Sequence, residues 1–349
     1  MKYQDTVDYS KIDPLKILAQ KAALETQANL PASFKEISSS RGESAYVVDL
    51  GSFYLAALIE GLGTKSLLAD KVRDKNKTYY DWLAQDTIAM AINDLVTVGA
   101  RPLTLHAYWA AASSDWFTDK KRLNDLVNGW QRACNLAGVV WAGGETPALS
   151  GIIEPNTIDL ACSVTGIISP KSRLTLGEKL TVGDVIIFIE SSGIHANGLS
   201  LARSVIENKE DIKKLLTPTI IYSRLIEDLF TNKIDIHYMA NITGHGWRKL
   251  MRHSKKLTYE IDKVPSIPEV LKIIVKKANL DLSQAYATFN MGAGFALFVD
   301  KKQAEKVIEI ANKNKLKALI AGRIKQGEKQ VIVKPLNLVY KEESLKLRI

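Results

Sequence analysis

Cysteine is almost absent from this 349-residue sequence: Cys134 and Cys162 are its two, and no C-x-x-C pair occurs. A disulfide framework and a cysteine-rich zinc site are therefore excluded, and a reducing cytoplasm is the expected location. No apolar run approaches the ~18 residues a membrane span needs, so no membrane partner is expected. The opening MKYQDTVDYSKID carries charge without an apolar core, which excludes a secretory signal. Lys/Arg blocks of the nuclear-targeting type and fixed-period repeats are also missing. What remains is ordinary for a folded globular protein, with 46% apolar and 24% charged residues. At ~150 residues per domain, about two domains fit.

Net charge is 47 − 38 = +9. The excess lies mostly in the C-terminal half, around Arg248–Lys256, Lys272–Lys277 and Lys301–Lys317. Such stretches are either solvated helix faces or an attraction for a phosphorylated small molecule. Nucleic acid is not expected, because the charge is not interleaved with exposed aromatics.

The first ~40 residues are polar, with one helix expected near Pro14–Thr26. A loop at 38–44 precedes strand patterns at Tyr46–Leu50 and Phe53–Leu58, dense in aromatic and β-branched residues. Leu83–Val98 reads as a helix ended by Gly99, followed by a strand at Pro102–Trp109. Asp119–Ala137 keeps Leu123, Leu126, Val127, Trp130, Cys134 and Ala137 on one helical face. Val139–Ala142 is expected as a short buried strand, and Ile158–Ile168 as another. The polar stretch Ser169–Gly177 marks a boundary, giving domains 1–168 and 169–349. Beyond it come a strand at Val185–Glu190, a helix at Asn197–Ile206, a Gly-rich loop at Thr243–Gly246, a helix at Trp247–Met251 and a strand at Gly294–Val299. Helices and strands alternate without segregation, so the class is α/β or α+β.

Six short motifs could carry chemistry, and each has a plainer alternative. Glu60-Gly61-Leu62-Gly63-Thr64-Lys65 lets backbone approach a phosphate and adds a cation, or is a tight turn. Asp86, Asn93 and Asp94 share a helix whose other positions are apolar, and residues seven apart return to one face. Buried carboxylates need a partner or a metal; the alternative is caps and a solvent stripe. Gly143-Gly144-Glu145-Thr146 ends a strand and suits a nucleotide with Mg²⁺, or a surface turn. In Ser191–Gly198 a Gly turn opens a helix, where free N–H groups attract anions. His195 there either meets a phosphate and moves a proton or is a structural residue. Asn241–Gly246 followed by Arg248, Lys249 and Arg252 is again anion-friendly, and Thr288–Gly294 is a Gly-rich turn into a buried strand.

The order and spacing of EGLGTK, IND, GGET, SSGIHANGLSLAR, NITGHG and TFNMGAG resemble the aminoimidazole ribonucleotide synthetase family, the phosphoribosylformylglycinamidine cyclo-ligases. The resemblance extends over about residues 3–325, and YQDTVDY fits the family's opening. GGET and the ND helix are shared more widely in the superfamily. It implies an N-terminal ATP-binding α/β domain whose strands build a barrel across a homodimer, and a C-terminal α/β domain packed on it. It implies ATP and Mg²⁺ as cofactors and a phosphorylated small-molecule substrate. In that chemistry ATP phosphorylates the formyl-amide oxygen of formylglycinamidine ribonucleotide, the amidine nitrogen closes the ring, and phosphate leaves. Carried onto this chain, it makes Lys65, His195 and Asn197 the catalytic contacts. Gly61, Gly63, Thr64, Lys65, Asn93, Gly143, Gly144 and Thr146 become nucleotide contacts, and Glu60, Asp86, Asp94 and Glu145 the metal ligands. The chain departs from the family with Glu60 for Asp, His245 for Gly, and Ser38–Gly51 in place of a Gly-rich nucleotide-covering stretch. A kinase or synthetase paralogue with another acceptor, and a nucleotide-binding homologue without turnover, are the rival expectations.

Overall fold

The computed structural model describes residues 9–345, with side chains from residue 11. Nearly all of the YQDTVDY motif lies outside the described residues. The first half runs through α1 (Tyr9–Glu25), β1 (Lys35–Glu36), β2 (Tyr46–Asp49), β3 (Tyr54–Gly61), α2 (Ser66–Val72), α3 (Tyr80–Val96), β4 (Arg101–Ala111), α4 (Lys120–Ala137), β5 (Val140–Glu145) and β6 (Ile158–Ile168). Its six strands lie in the order β1-β2-β3-β6-β4-β5. Only the β4–β5 pair among them is parallel. The second half contributes β7 (Val185–Glu190), α5 (Leu199–Val205), α6 (Lys209–Leu215), α7 (Ser223–Thr231), β8 (Ile236–Asn241), β9 (Leu257–Ile261), β10 (Ala293–Val299), β11 (Ala318–Gln326), β12 (Gln330–Val333) and β13 (Leu338–Lys341). These strands form a seven-stranded sheet, β13-β12-β9-β11-β7-β10-β8. The architecture is mixed α/β with two sheets. No helix among the described residues is long and apolar enough to cross a membrane.

α3 is the element that positions the site. Alanines, isoleucines and leucines fill it, and nearly all its residues are buried. It lies on the inner face of the first sheet, where the Cys162 thiol meets the Thr87 carbonyl at 3.5 Å. Its exit turn uses Gly99 at φ +84, where a Cβ would lie 1.9 Å from the Arg173 carbonyl oxygen. α4 packs beside α3 and is bounded as its sequence indicates. Asp119 caps its start by accepting from the Arg122 N–H, and Gly138 ends it at φ +69.

Two local expectations are corrected. β5 is not a short buried strand: it is longer, lies at the sheet edge, and is largely exposed. α4 covers only its Trp141 side, so the strand has neighbours on one face and one edge. The segment after the Thr243–Gly246 loop is a 3-10 turn, Gly246–Met251, rather than an α-helix. The outer face of the first sheet carries Ile59 at 71% exposure and Val140 at 63%.

Candidate active site

Two carboxylates come within electrostatic reach of each other where the halves join. Glu60 stands at the end of β3, and Asp94 on the last turn of α3. Asp94 is buried, and Asn241 from the end of β8 donates to its Oδ1 at 2.7 Å. Burial, then the like charge of Asp94, raises the Glu60 carboxyl to about 7; Lys249, Arg252 and Lys16 pull the other way. Lys249 is 7% exposed. Its ammonium donates to Thr243 Oγ1. Burial lowers its pKa, opposed by the charge of Asp94. Arg252 donates to the Gly42 carbonyl and to Ser44 Oγ, both at 2.8 Å, and so ties segment 42–44 to the rim. Asn197 Oδ1 accepts the Gly244 N–H at 3.0 Å, holding the two Gly-rich loops together. His245 takes φ +70, and burial lowers its imidazole to about 3.

Lys65 and Asp86 lie elsewhere, in a seam between the halves. Both are fully buried. Lys65 Nζ meets Asp86 Oδ2 at 2.7 Å, the His195 carbonyl at 3.0 Å and the Thr217 carbonyl at 3.1 Å. An ammonium has three donors, and protein oxygens occupy all of them. Asp86 Oδ1 accepts the Thr219 N–H at 2.8 Å and its hydroxyl at 2.5 Å. Asn93 continues the seam, donating to the Ile220 carbonyl at 2.8 Å and accepting the Tyr222 N–H at 2.9 Å. The polar stripe of α3 thus grips the extended segment 217–222 of the second half. His195 is buried beside it, at φ +62, and its Nε2 accepts the Ser192 N–H at 3.2 Å. Burial, then the Lys65 charge, lowers its imidazole to about 3, so it is neutral at pH 7.

The expected four-carboxylate cluster therefore does not form. Glu60 and Asp94 lie within electrostatic reach of each other; Asp86 is turned to Lys65 and Thr219. Glu145 is exposed on β5, opposite Tyr108 of β4. Across the sheet Glu60 pairs with Cys162, Cys162 with Ala107, and Ala107 with Gly144. Three strand spacings, about 14 Å, thus separate Gly144 from Glu60. Among the described residues no three His, Cys, Asp or Glu side chains converge as a metal site. Gly61 and Gly63 are exposed and Thr64 is half-buried at the end of β3. A Cβ on Gly144 would lie 2.2 Å from the Ala107 carbonyl oxygen, so packing alone requires glycine there. Gly143, Gly144 and Thr146 line a cavity of about 270 Å³ with Trp109 and Trp141. The contributions of Asn241, Thr243 and Lys249 had a signal in the NITGHG motif and its basic tail, but spacing there does not say which basic residue points inward.

Residues 42–168 match the AIR synthase related protein, N-terminal domain, and residues 181–334 the AIR synthase related protein, C-terminal domain. Fold and sequence together define an AIR synthase related protein. The phosphoribosylformylglycinamidine cyclo-ligase of Methanococcus vannielii is 35% identical over 300 residues, covering 82% of each chain. That of Methanocaldococcus jannaschii is 36% identical over 294 residues, 80% of this chain and 81% of its own. The chain belongs to the phosphoribosylformylglycinamidine cyclo-ligase family. Among solved structures, the HypE–HypF complex superposes at a TM-score of 0.63 with 17% identity, covering 93% of this chain and 98% of that one. AaThiL complexed with AMPPCP and TMP gives 0.62 with 16% identity, covering 98% and 97%. Hydrogenase maturation protein HypE in complex with ATP gives 0.61 with 17% identity, covering 82% and 83%. At such identities the likeness is one of fold.

Proposed function

We propose that this chain is a cytoplasmic phosphoribosylformylglycinamidine cyclo-ligase, closing the imidazole ring of formylglycinamidine ribonucleotide at the expense of ATP. The observation that carries it is the pair Glu60 and Asp94, within electrostatic reach of each other and of the cation of Lys249 at the junction of the two halves. ATP as the phosphoryl donor is supported by the fold-mates crystallised with ATP and AMPPCP. Two adjacent carboxylates, one of them raised to about 7 by burial and its neighbour, fit Mg²⁺, which takes one or two protein carboxylates together with phosphate oxygens. Bound between Glu60 and Asp94, Mg²⁺ would neutralise charge on the transferred phosphate. Asn241 orients Asp94 for this task. Asn197 fixes the 243–246 loop against the turn at 191–198, so the substrate-facing backbone is set before binding. Gly61, Gly63 and Thr64 form the rim next to Glu60, and the Gly143–Thr146 strand with Glu145 is assigned to a second contact with the nucleotide or substrate. Lys65, Asp86, Asn93 and His195 hold the halves in register and act on the site only through position. The same proposal includes a homodimer formed through the outer face of the first sheet.

The test is ADP release by purified protein with Mg·ATP, with and without formylglycinamidine ribonucleotide. ADP that depends on the substrate, with an aminoimidazole product, is the expected result. ADP formed only with another acceptor, or none at all, would overturn the assignment.

A further inference from the structure

We propose that Lys249 is the ammonium that contacts the phosphoryl group transferred in this site, the role expected of Lys65. The two lysines differ in what their donors meet. Lys65 has three N–H groups and three protein acceptors, at 2.7, 3.0 and 3.1 Å. It has nothing left to offer a ligand without breaking the seam between the halves. Lys249 is nearly as buried, at 7% exposure, yet Thr243 Oγ1 is its one hydrogen-bond partner among the described residues. Two of its three donors are unassigned.

A buried ammonium with unmet donors is costly, and the cost is removed by an acceptor that carries negative charge. Lys249 lies within the electrostatic reach of Asp94, Arg252, Glu60 and Glu43. None of these carboxylates forms an ion pair with it within 4.0 Å; Arg252 is engaged by Glu43 at 3.7 Å. A phosphoryl group with its divalent cation would balance these charges in alternation: carboxylate, cation, phosphate oxygen, ammonium. Lysine suits this position, because a compact point charge can follow a phosphoryl group between donor and acceptor without a fixed fork geometry.

The identity of the donor nucleotide rests on the cyclo-ligase assignment; the choice of Lys249 over Lys65 does not. The experiment keeps them apart. Calorimetry measures Mg·ATP and Mg·ADP binding to the full chain as parent, Lys249→Met and Lys249→Arg, beside a thermal melt of each. Lys249→Met should lose about 10- to 100-fold in affinity for Mg·ATP, as for a lost charge-assisted hydrogen bond. Its affinity for Mg·ADP should change less than about threefold, and Lys249→Arg should recover most of the loss. Lys249→Gln, which keeps a donor for Thr243 and lacks the charge, replaces Lys249→Met if that variant does not fold. Parent-like Mg·ATP affinity in the neutral variant overturns the proposal, as does an equal loss for both nucleotides. A parent that binds Mg·ATP but releases no substrate-dependent ADP refutes the cyclo-ligase assignment alone, and the binding comparison still decides Lys249.

Discussion

At the scale of residues, the chain shows two kinds of buried charge. Lys65 and Asp86 pair at 2.7 Å with every polar atom directed at protein. Removing one partner strands the other in the interior, which costs about 3–5 kcal/mol, whereas replacing both by apolar residues of similar volume is far milder. Lys65→Met should therefore lower the melting temperature sharply, and Lys65→Met with Asp86→Leu should recover most of it; equal melting of single and double variants would remove the seam from the account. Asp94 is of the other kind. Asp94→Asn keeps an oxygen for Asn241 and should leave the melt within a few degrees while cutting substrate-dependent ADP release by about 10²-fold or more. Parent-like turnover in that variant would show the carboxylate pair to be idle. His195 gives a pH test. Its folded pKa of about 3 lies below the unfolded 6.5, so below pH 6.5 the unfolded chain takes up a proton that the folded chain refuses. Stability is then full above 6.5 and falls towards 3, by up to about 1.4 kcal/mol per pH unit for one such group. His195→Asn, which tolerates the positive φ, should flatten the decline in melting temperature between pH 7 and 5. An unchanged slope would mean that His195 does not resist protonation. The sequence showed both residue sets through their unusual polarity on apolar elements. It could not separate seam from site, because helical spacing names a face and not what that face meets.

At the scale of elements, α3 illustrates that limit. Its apolar face, polar stripe and closing Gly99 were legible, since each depends on residues close in sequence, although the helix starts at Tyr80, a turn before the expected Leu83. The partner of the stripe, segment 217–222, is more than 120 residues away, and no local pattern encodes it. β5 failed for a related reason. Its composition is that of a buried strand, but its place at the sheet edge is decided by strand order. Much of the stretch Ser38–Gly51, expected to replace a Gly-rich one, is fastened by side-chain bonds between residues 36 and 46. Arg41 binds Glu36 through two bonds at 2.6 and 2.5 Å, and Tyr46 donates to the same carboxylate at 2.7 Å. Glu43 accepts from the Tyr238 hydroxyl at 3.0 Å, and Arg252 reaches Gly42 and Ser44. Side-chain bonds thus order this segment without any ligand. Arg252→Ala should speed amide exchange across residues 40–46 by about tenfold with little change in the β3 and α3 amides, read by exchange mass spectrometry. Uniform acceleration over the whole first half would instead make Arg252 a global stabiliser.

At the scale of the molecule, the two sheets are joined through α3, which presents one side to the first sheet and its polar stripe to the second half. The inner face of the first sheet is thereby covered; among the described residues nothing covers Ile59 or Val140 on the outer face. Ile59 is 71% exposed and Val140 63%, and the register puts both on that outer face: Ile59 aligns through Ser163 and His106 with Gly143, and Ala57 through Thr165 and Thr104 with Val140. Leu103 on β4 adds a further apolar side chain at 46%. Apolar surface of this kind, next to an unpaired strand edge at β5, is what association covers. A second copy is the simplest cover, since a two-fold axis lets one face meet itself. The position matters for the site, because Ile59 and Glu60 are neighbours on β3 and point to opposite faces. Burying Ile59 against a second copy would stiffen the strand that carries the carboxylate. Sedimentation at micromolar concentration should therefore give twice the 38.6 kDa of the chain. Ile59→Lys with Val140→Lys should yield a folded monomer, since both side chains already stand in water in the isolated chain, and its affinity for Mg·ATP should be weaker than the dimer's. A parent that sediments as a monomer would leave the outer face without this partner, and a lysine variant that stays dimeric would place the interface elsewhere.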